Sequence, residues 1–154
     1  MTHRELCIIG ANWLKNHKRW TFRKPYILIE LCPIYGESPD VFGLDSYHNL
    51  LIEVKITKAD FRNDLKKKYR QEGKGIGAMR YYLCPSGVIT IQELPDKWGL
   101  LYCDEKGKIE VIKESMQFTE RDLGHEICIM QSVIRRLAGQ RRILDFRKET
   151  NEAK

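Results

Sequence analysis

Hydrophobic and polar residues alternate along this chain with two different periods. A period of about 3.6 residues predicts amphipathic helices, and it covers roughly residues 4–16, 57–71 and 120–138. A period of two, or a short apolar run, predicts strands, and such segments cover 26–31, 40–44, 50–56, 79–84, 88–94, 100–104 and 108–112. Strands interspersed with helices predict an α/β fold.

Each predicted helix has one apolar face that we expect to be buried. Capping boxes mark the start of two of them, with Thr57 and Asp60 in the second helix and Thr119 and Asp122 in the third. The residues expected to face the core are Leu6, Ile9, Trp13 and Leu14 in the first helix, Phe61, Leu65 and Tyr69 in the second, and Leu123, Ile127, Met130, Ile134 and Leu137 in the third.

Two neighbouring predicted strands carry charged residues. Asp40 opens the first of them, and the second ends in Glu53-Val54-Lys55. Because successive strand residues point to opposite faces, Glu53 and Lys55 share one face and Ile52 and Val54 take the other. The gap between the strands has the length of a hairpin, which returns the chain to Asp40. We therefore expect two carboxylates and one ammonium to meet at one point.

The predicted strand at 26–31 is apolar apart from Glu30. A carboxylate in such a strand is costly unless it is paired, exposed or bound to a cation. If this strand pairs with the next one, Glu30 approaches Asp40. In that next strand Phe42 and Leu44 share the face of Asp40, which indicates a sheet covered on both sides.

Other polar residues have ordinary structural explanations. Asp45 and His48 fall in the predicted turn between the two central strands. The glycines of residues 73–77 lack the Lys-Ser/Thr ending of a phosphate-binding loop, so we expect no nucleotide site there. The five cysteines form no C-x-x-C pair, and we expect them to be reduced and in or near the core.

The length of 154 residues suits one domain, which we place at 1–140, followed by a basic and polar tail at 141–154. No apolar run approaches the roughly 20 residues needed to span a bilayer. The first residues also lack the pattern of a signal peptide. We expect a cytoplasmic protein without membrane contact.

Positive charge lies on both sides of an acidic centre. Residues 13–24 and 56–80 are rich in Lys and Arg, whereas residues 30–55 contain five acidic residues and one lysine. Lys and Arg attract a polyanion such as DNA, but carboxylates repel its phosphates unless a cation lies between them. The ordinary alternative is a set of solvated, charged helix faces.

These elements, in this order, resemble the core of the PD-(D/E)XK nuclease superfamily, with Pro39-Asp40, then twelve residues, then Glu53-x-Lys55. Four blocks are more narrowly similar to the MmcB-like DNA-repair nucleases: PDVFGLD, LLIEVKITKADFRNDLKKKY, YYLCPSGVI and ELPDKWGLLYCDEKGKI. The resemblance implies a restriction-endonuclease-like core, in which a central mixed sheet of about four to six strands is flanked by helices on both faces. It also implies an additional acidic residue, for which Glu30 and Glu5 are both candidates.

The resemblance and the residue types together imply a Mg²⁺- or Mn²⁺-dependent endonuclease that acts on DNA in repair or recombination. Asp40, Glu53 and the backbone carbonyl of Val54 would supply the oxygen ligands that such ions prefer. Lys55 would orient the attacking water or stabilise charge in the transition state. The residues expected to hold the phosphate backbone are Arg62, Lys66, Lys67 and Arg70. Since many enzymes that cut both strands need two sites, a homodimer is one expected assembly.

Two other functions are compatible with the same sequence. A nucleic-acid-binding domain on the same fold would need the basic segments but no catalysis, and a cleavage assay with and without Mg²⁺ distinguishes it from the enzyme. A structural or partner-binding α/β domain would use the carboxylates in ordinary salt bridges. Retention on DNA that weakens steeply with salt would count against that last function.

Overall fold

The computed structural model describes residues 1–18, 25–45, 48–71 and 73–146. Its helices are α1 (His3–Lys15), α2 (Lys58–Leu65) and α3 (Leu123–Ala138). Its strands are β1 (Tyr26–Ile29), β2 (Val41–Leu44), β3 (Leu50–Val54), β4 (Met79–Pro85), β5 (Gly99–Cys103) and β6 (Ile109–Lys113). The expectations for the basic residues 19–24, for part of the predicted turn at 46–47 and for the tail residues 147–154 lie outside the described residues.

The six strands form one mixed sheet in the order β1-β2-β3-β4-β5-β6. β1 with β2, β2 with β3, and β5 with β6 pair antiparallel, whereas β3 with β4 and β4 with β5 pair parallel. Two hydrophobic clusters cover the sheet, one containing residues of α1 and the other residues of α2 and α3. The predicted α/β class, with a mixed sheet between helices on both faces, is confirmed.

Helix α1 packs on one face of the sheet with the side that the sequence predicts. Leu6 and Leu14 are fully buried, and Ile9 and Trp13 are half-buried against the same cluster. The helix begins with a capping box between Thr2 and Glu5, which satisfies backbone amides of the first turn.

Gly10 lets α1 lie close to the sheet. A Cβ atom at this position would lie 2.9 Å from Cδ2 of Leu83 on β4. The glycine weakens the helix by its own propensity, but it also permits this close approach. Its presence in the middle of α1 therefore has a packing reason.

Helix α2 ends six residues earlier than the sequence predicts. It stops at Leu65, and a short 3₁₀ turn follows at Lys68–Arg70. In a continuous helix, residues six apart lie about 120° apart around the axis, so Arg70 would be directed away from Asp64. Ending the helix allows Arg70 Nε to donate a hydrogen bond of 2.6 Å to Asp64 Oδ2. Phe61 is buried as predicted.

The prediction of a strand at 88–94 is wrong. This stretch contains a turn and a short 3₁₀ helix at Ile91–Glu93 instead. Thr90 begins the 3₁₀ helix, and both its amide and its hydroxyl donate to the Glu93 carboxylate, at 3.0 and 2.8 Å. This local capping box satisfies polar groups that a strand would have paired with a neighbour. Lys58 of α2 also binds Glu93.

The prediction of which face of α3 is buried is wrong. The predicted residues are exposed, with exposed fractions of 56% for Leu123, 59% for Ile127, 39% for Met130, 53% for Ile134 and 78% for Leu137. The helix turns a partly polar face inward instead: Glu126 Oε2 accepts a hydrogen bond of 2.9 Å from the Asn49 side chain and Oε1 one of 2.8 Å from the Gly77 amide. Burying this carboxylate with its donors determines which face of α3 is covered. The helix also begins later than predicted, with Asp122 as its N-cap.

All five cysteines are free thiols, as predicted. Four of them are buried, whereas Cys32 is exposed, so the expected core location is wrong for Cys32. Within the described part of the chain, no helix combines the length and the apolar character needed to cross a bilayer.

Candidate active site

Asp40 is held at the end of β3 by the antiparallel pairing of β2 with β3. Val41 pairs with Ile52, so Asp40 lies just beyond the paired end of β2. Its Oδ2 accepts a hydrogen bond of 2.8 Å from the backbone amide of Val54. The side chain of Asp40 thus continues the hydrogen-bond ladder between the strands. The observed contact of Val54 with Asp40 is made by its amide, and the expected metal contact of its carbonyl stays a prediction.

Lys55 brings the predicted residues together. Its Nζ lies 2.8 Å from Oε2 of Glu53 and 3.6 Å from Oδ2 of Asp40. The side chains of β3 alternate between the two faces of the sheet as predicted. Ile52 and Val54 belong to the hydrophobic cluster on the face that α1 covers. Asp40, Glu53 and Lys55 therefore meet on the opposite face of the sheet.

Asp64 of α2 is a fourth member of this cluster and was not predicted. Its Oδ1 lies 3.5 Å from Lys55 Nζ and 2.8 Å from Lys67 Nζ. Its Oδ2 accepts a hydrogen bond of 2.7 Å from the hydroxyl of Tyr82. Burial acts to raise the pKa of Asp64, but the hydrogen bonds and charge of Arg70, together with Lys55, lower it well below its ordinary value. Asp64 is therefore ionised at neutral pH.

Arg70 lies within the same cluster, with a side chain that is only 3% exposed. Its guanidinium binds Glu37 and lies 2.6 Å from Asp64 and 3.2 Å from Glu53. It also stacks over Trp98, with its Cζ 5.0 Å from the ring centroid. Burial opposes the charged form, but Glu53 and Glu37 raise the pKa of Arg70 above its ordinary value. We therefore place Arg70 with the carboxylates rather than among the expected phosphate contacts.

Glu53 is a buried carboxylate in which one oxygen has no hydrogen-bond partner among the described residues. The residue is 2% exposed, and burial raises the pKa of Glu53 to about 7, in spite of the nearby Lys55 and Arg70. Oε2 binds both cations, whereas Oε1 has no hydrogen-bond partner among the described residues. A buried oxygen without a partner is unfavourable. A bound cation would satisfy it.

Glu30 lies next to Asp40 but binds residues of α1. The backbone amide of Glu30 donates a hydrogen bond of 2.8 Å to the carbonyl of Asp40. The carboxylate binds Arg4 and lies 3.5 Å from Nδ1 of His3. His3 Nε2 lies 3.4 Å from Oδ1 of Asp40, so His3 bridges the two carboxylates.

Glu5, the other candidate for the additional acidic residue, has a structural contact. Its carboxylate accepts hydrogen bonds of 2.6 Å from the Thr2 amide and 3.0 Å from the Thr2 hydroxyl. Asp45 and His48 lie in the loop between β2 and β3, as predicted, and the Asp45 amide donates to the side chain of Asn49 at 3.1 Å.

The remaining expected phosphate contacts lie on the surface, and one of them contacts the cluster. Arg62, Lys66 and Lys67 are exposed. Lys67 contacts Asp64 and keeps 53% of its side chain exposed. These three cations thus add exposed positive charge to the segment that also carries Asp64.

Comparison with known proteins gives a likeness in fold but no assignment of function. No family model matches the chain, and no curated protein matches it. The chain is similar to the solved structure of SPO1766, a protein of unknown function from Silicibacter pomeroyi, with 22% sequence identity and a TM-score of 0.62. The similarity covers 92% of this chain and 93% of that one. At this identity the likeness concerns the fold alone.

Proposed function

We propose that this protein is a metal-dependent nuclease of the PD-(D/E)XK type that hydrolyses DNA phosphodiester bonds. The observation that carries the proposal is the meeting of Asp40, Glu53 and Lys55, with Lys55 Nζ 2.8 Å from one carboxylate and 3.6 Å from the other. Two carboxylates can hold a divalent cation beside a phosphate, and an ammonium can stabilise the charge that develops there. The mixed sheet is compatible with this assignment, although a fold does not define a function.

The free oxygens of the cluster fit a hard cation such as Mg²⁺ or Mn²⁺. Glu53 Oε1 is buried without a hydrogen-bond partner among the described residues. Asp40 Oδ1 is contacted by His3 at 3.4 Å, which is longer than an ordinary hydrogen bond. Asp40 and Glu53 would hold the ion, with the carbonyl of Val54 as a third expected ligand. When bound, the ion would polarise a phosphoryl oxygen and lower the pKa of the attacking water.

Lys55 supplies positive charge in this proposal and does not act as a base. Burial acts to lower the pKa of Lys55, but Glu53, Asp64 and Asp40 raise it above its ordinary value. The amine is therefore protonated at neutral pH. In that state it stabilises negative charge on the phosphate in the transition state.

Exposed cations of α2 and of the residues just after it would hold the DNA backbone. Arg62, Lys66 and Lys67 are exposed, and Lys67 contacts Asp64. Contacts of Lys and Arg with phosphates fix the position of a duplex without reading its sequence. We therefore propose binding that depends strongly on salt and weakly on sequence.

The proposal is tested by nicking of supercoiled plasmid in Mg²⁺, in Mn²⁺ and in EDTA. Asp40→Asn is the informative variant, because Asn can still accept the hydrogen bond from Val54 while the charge is lost. Glu105→Gln, at an exposed position in the β5–β6 turn, is the matched control. We expect nicking that requires the metal, is lost in Asp40→Asn and is unchanged in Glu105→Gln. Nicking that persists in EDTA, or that is equal in wild type and Asp40→Asn, would overturn the proposal.

A second candidate function is a DNA-binding domain on the same fold without catalysis. The observation in its favour is that Lys55 and Arg70 already bind Oε2 of Glu53, which is 2% exposed. In that case the carboxylates serve to bury two cations in the core. This candidate predicts binding of DNA with the same affinity in Mg²⁺ and in EDTA, and no cleavage in either.

A further inference from the structure

A second group of metal-binding side chains lies where α1 meets the end of β1. His3 and Cys7 are four residues apart on α1 and therefore share one face of the helix. Glu30 follows β1 and reaches the same face. One ligand atom of each of the three residues lies within 4.8 Å of the others.

Two of the three distances within this group match the edges of a tetrahedral zinc site, and the third is at most 4.8 Å. Cys7 Sγ lies 3.6 Å from His3 Nδ1, and His3 Nδ1 lies 3.5 Å from Glu30 Oε1. Zinc bonds of about 2.3 Å to sulfur and about 2.1 Å to nitrogen or oxygen, at tetrahedral angles, give separations of about 3.6 Å and about 3.4 Å. We propose that His3 Nδ1, Cys7 Sγ and Glu30 Oε1 bind a zinc-class ion.

The neighbouring residues orient these ligands. Arg4 binds Oε2 of Glu30, which leaves Oε1 for the metal. The other ring nitrogen of His3, Nε2, faces the Asp40 carboxylate, with 3.4 Å between Nε2 and Oδ1. This site lies next to the proposed Asp40–Glu53 cation site but uses different ligand residues, and it does not depend on nuclease activity.

The backbone of Glu30 gives independent support for a specialised role. Glu30 has a φ of 48°, a conformation that residues other than glycine rarely adopt and that is often found at functional sites. It is held there by the hydrogen bond from its amide to the Asp40 carbonyl, at 2.8 Å. The strained residue supplies one of the three ligand atoms.

The donor set selects the class of ion. One thiolate, one imidazole and one carboxylate suit Zn²⁺, whereas Mg²⁺ requires oxygen ligands. The side chains of His3 and Glu30 are 41% and 40% exposed, whereas Cys7 is fully buried. Three protein ligands leave a fourth position for water.

Titration of the untagged protein with Co²⁺, in the absence of DNA, tests this site, because cobalt bound by a thiolate gives a charge-transfer band in the near ultraviolet. We expect one equivalent of Co²⁺ to produce that band and Zn²⁺ to abolish it. The band should be lost in Cys7→Ser and reduced in His3→Gln, and retained in Cys32→Ser, which removes the exposed cysteine.

Cys7 is buried, so Cys7→Ser could perturb the core. His3 is partly exposed, so His3→Gln tests the site without that complication. Absence of the thiolate band in the wild type would overturn the proposal. So would a band that is the same in wild type and His3→Gln. Since no DNA is present, failure of this site would be distinct from failure of the nuclease assignment.

The exposed face of α3 carries a second, independent inference. Leu123, Ile127, Met130, Ile134 and Leu137 follow one another at spacings of four, three, four and three residues. This is the heptad spacing of a helix that pairs with another helix. In this protein all five side chains are exposed.

We propose that this face pairs with α3 of a second copy of the chain. The five side chains expose on the order of 500 Å² of apolar surface, which is the size of the largest apolar patch on a typical protein, and such a patch is often functional. A groove of about 330 Å³, lined by Ile34, Ile134 and other residues, adjoins this patch. Each partner in a stable complex buries roughly 800 Å², so the patch supplies more than half of that area. The flanking residues Gly124, Gln131 and Val133 are uncharged, whereas the adjoining groove also contains Arg135, Arg141 and Arg142.

Light scattering after size-exclusion chromatography over a range of protein concentrations tests this pairing. We expect a dimer for the wild type and a monomer for Ile134→Glu. Val111→Glu is the control, because Val111 is also an exposed apolar residue, at 39% against 53% for Ile134, but lies on β6. A wild type that is monomeric throughout, or a dimer that survives Ile134→Glu, would overturn the proposal.

Discussion

Lys55 Nζ lies 2.8 Å from Oε2 of Glu53, and the two side chains come from the same face at the end of β3. Arg70 lies 3.2 Å from the same oxygen. Two cations therefore share one oxygen of Glu53, while its other oxygen has no hydrogen-bond partner among the described residues.

Replacing Lys55 with methionine keeps an unbranched apolar side chain and removes the charge. We expect plasmid cleavage to fall by about 100-fold or more, because the ammonium acts on charge that develops in the transition state. DNA binding, measured by fluorescence anisotropy, should change little. Lys106→Met, at an exposed position, is the control. A variant that loses binding and cleavage to the same extent would contradict this role for Lys55.

The raised pKa of Glu53 makes the stability of the protein depend on pH. Because its pKa rises from 4.5 to about 7 on folding, the contribution of Glu53 to stability is fully present below pH 4.5 and is lost as the pH rises through about 7. In EDTA, the free energy of unfolding of the wild type, relative to Glu53→Gln, should therefore fall on the order of 3 kcal/mol across this range. Urea denaturation at several pH values measures the difference. If the free energies of unfolding of the two proteins changed with pH in parallel, Glu53 would not titrate in this range.

Asp64 holds three cations, so its loss should destabilise the fold. Asp64→Asn leaves Lys55, Lys67 and Arg70 without one of their carboxylate partners. Removing one member of a buried ion pair costs about 3–5 kcal/mol. Chemical denaturation should show a loss of this size, whereas Asp60→Asn, at an exposed position of the same helix, should cost less than about 1 kcal/mol. Equal losses in the two variants would mean that the charge of Asp64 is not specifically used.

The exposed cations Arg62, on α2, and Lys66, just after it, should determine how DNA binding responds to salt. Removing two phosphate contacts lowers the slope of log affinity against log salt by about 2. We expect this change in the double variant Arg62→Ala/Lys66→Ala. The double variant Lys106→Ala/Lys108→Ala, which removes two exposed charges near the β5–β6 turn, is the control. If both double variants change the slope equally, DNA is held by general positive charge and not by α2.

The meeting of Asp40, Glu53 and Lys55 could be predicted from the sequence because it depends on local geometry. Alternation along one strand brings Glu53 and Lys55 together, and a hairpin brings Asp40 to them. The position of Asp64 beside Leu65, on the side of the helix where Phe61 is buried, was a signal that the sequence contained. The four-residue spacing of His3 and Cys7 was another.

Other features could not be predicted because they depend on contacts between distant residues. Arg70 joins the cluster because α2 ends early, which an uninterrupted helical pattern does not reveal. The buried face of α3 is determined by the hydrogen bonds of Glu126 with Asn49 and Gly77, from the segments that precede β3 and β4. Hydrophobic periodicity alone favours the opposite face of α3.

Anomalous diffraction from crystals soaked in Mn²⁺ tests the central claim most directly, namely that Asp40 and Glu53 hold a divalent cation beside Lys55. We predict a manganese peak bound by a carboxylate oxygen of Asp40 and by Oε1 of Glu53, and no peak at this position in crystals of Asp40→Asn. A wild-type crystal without manganese between these two carboxylates, or with the same peak in Asp40→Asn, would contradict the claim.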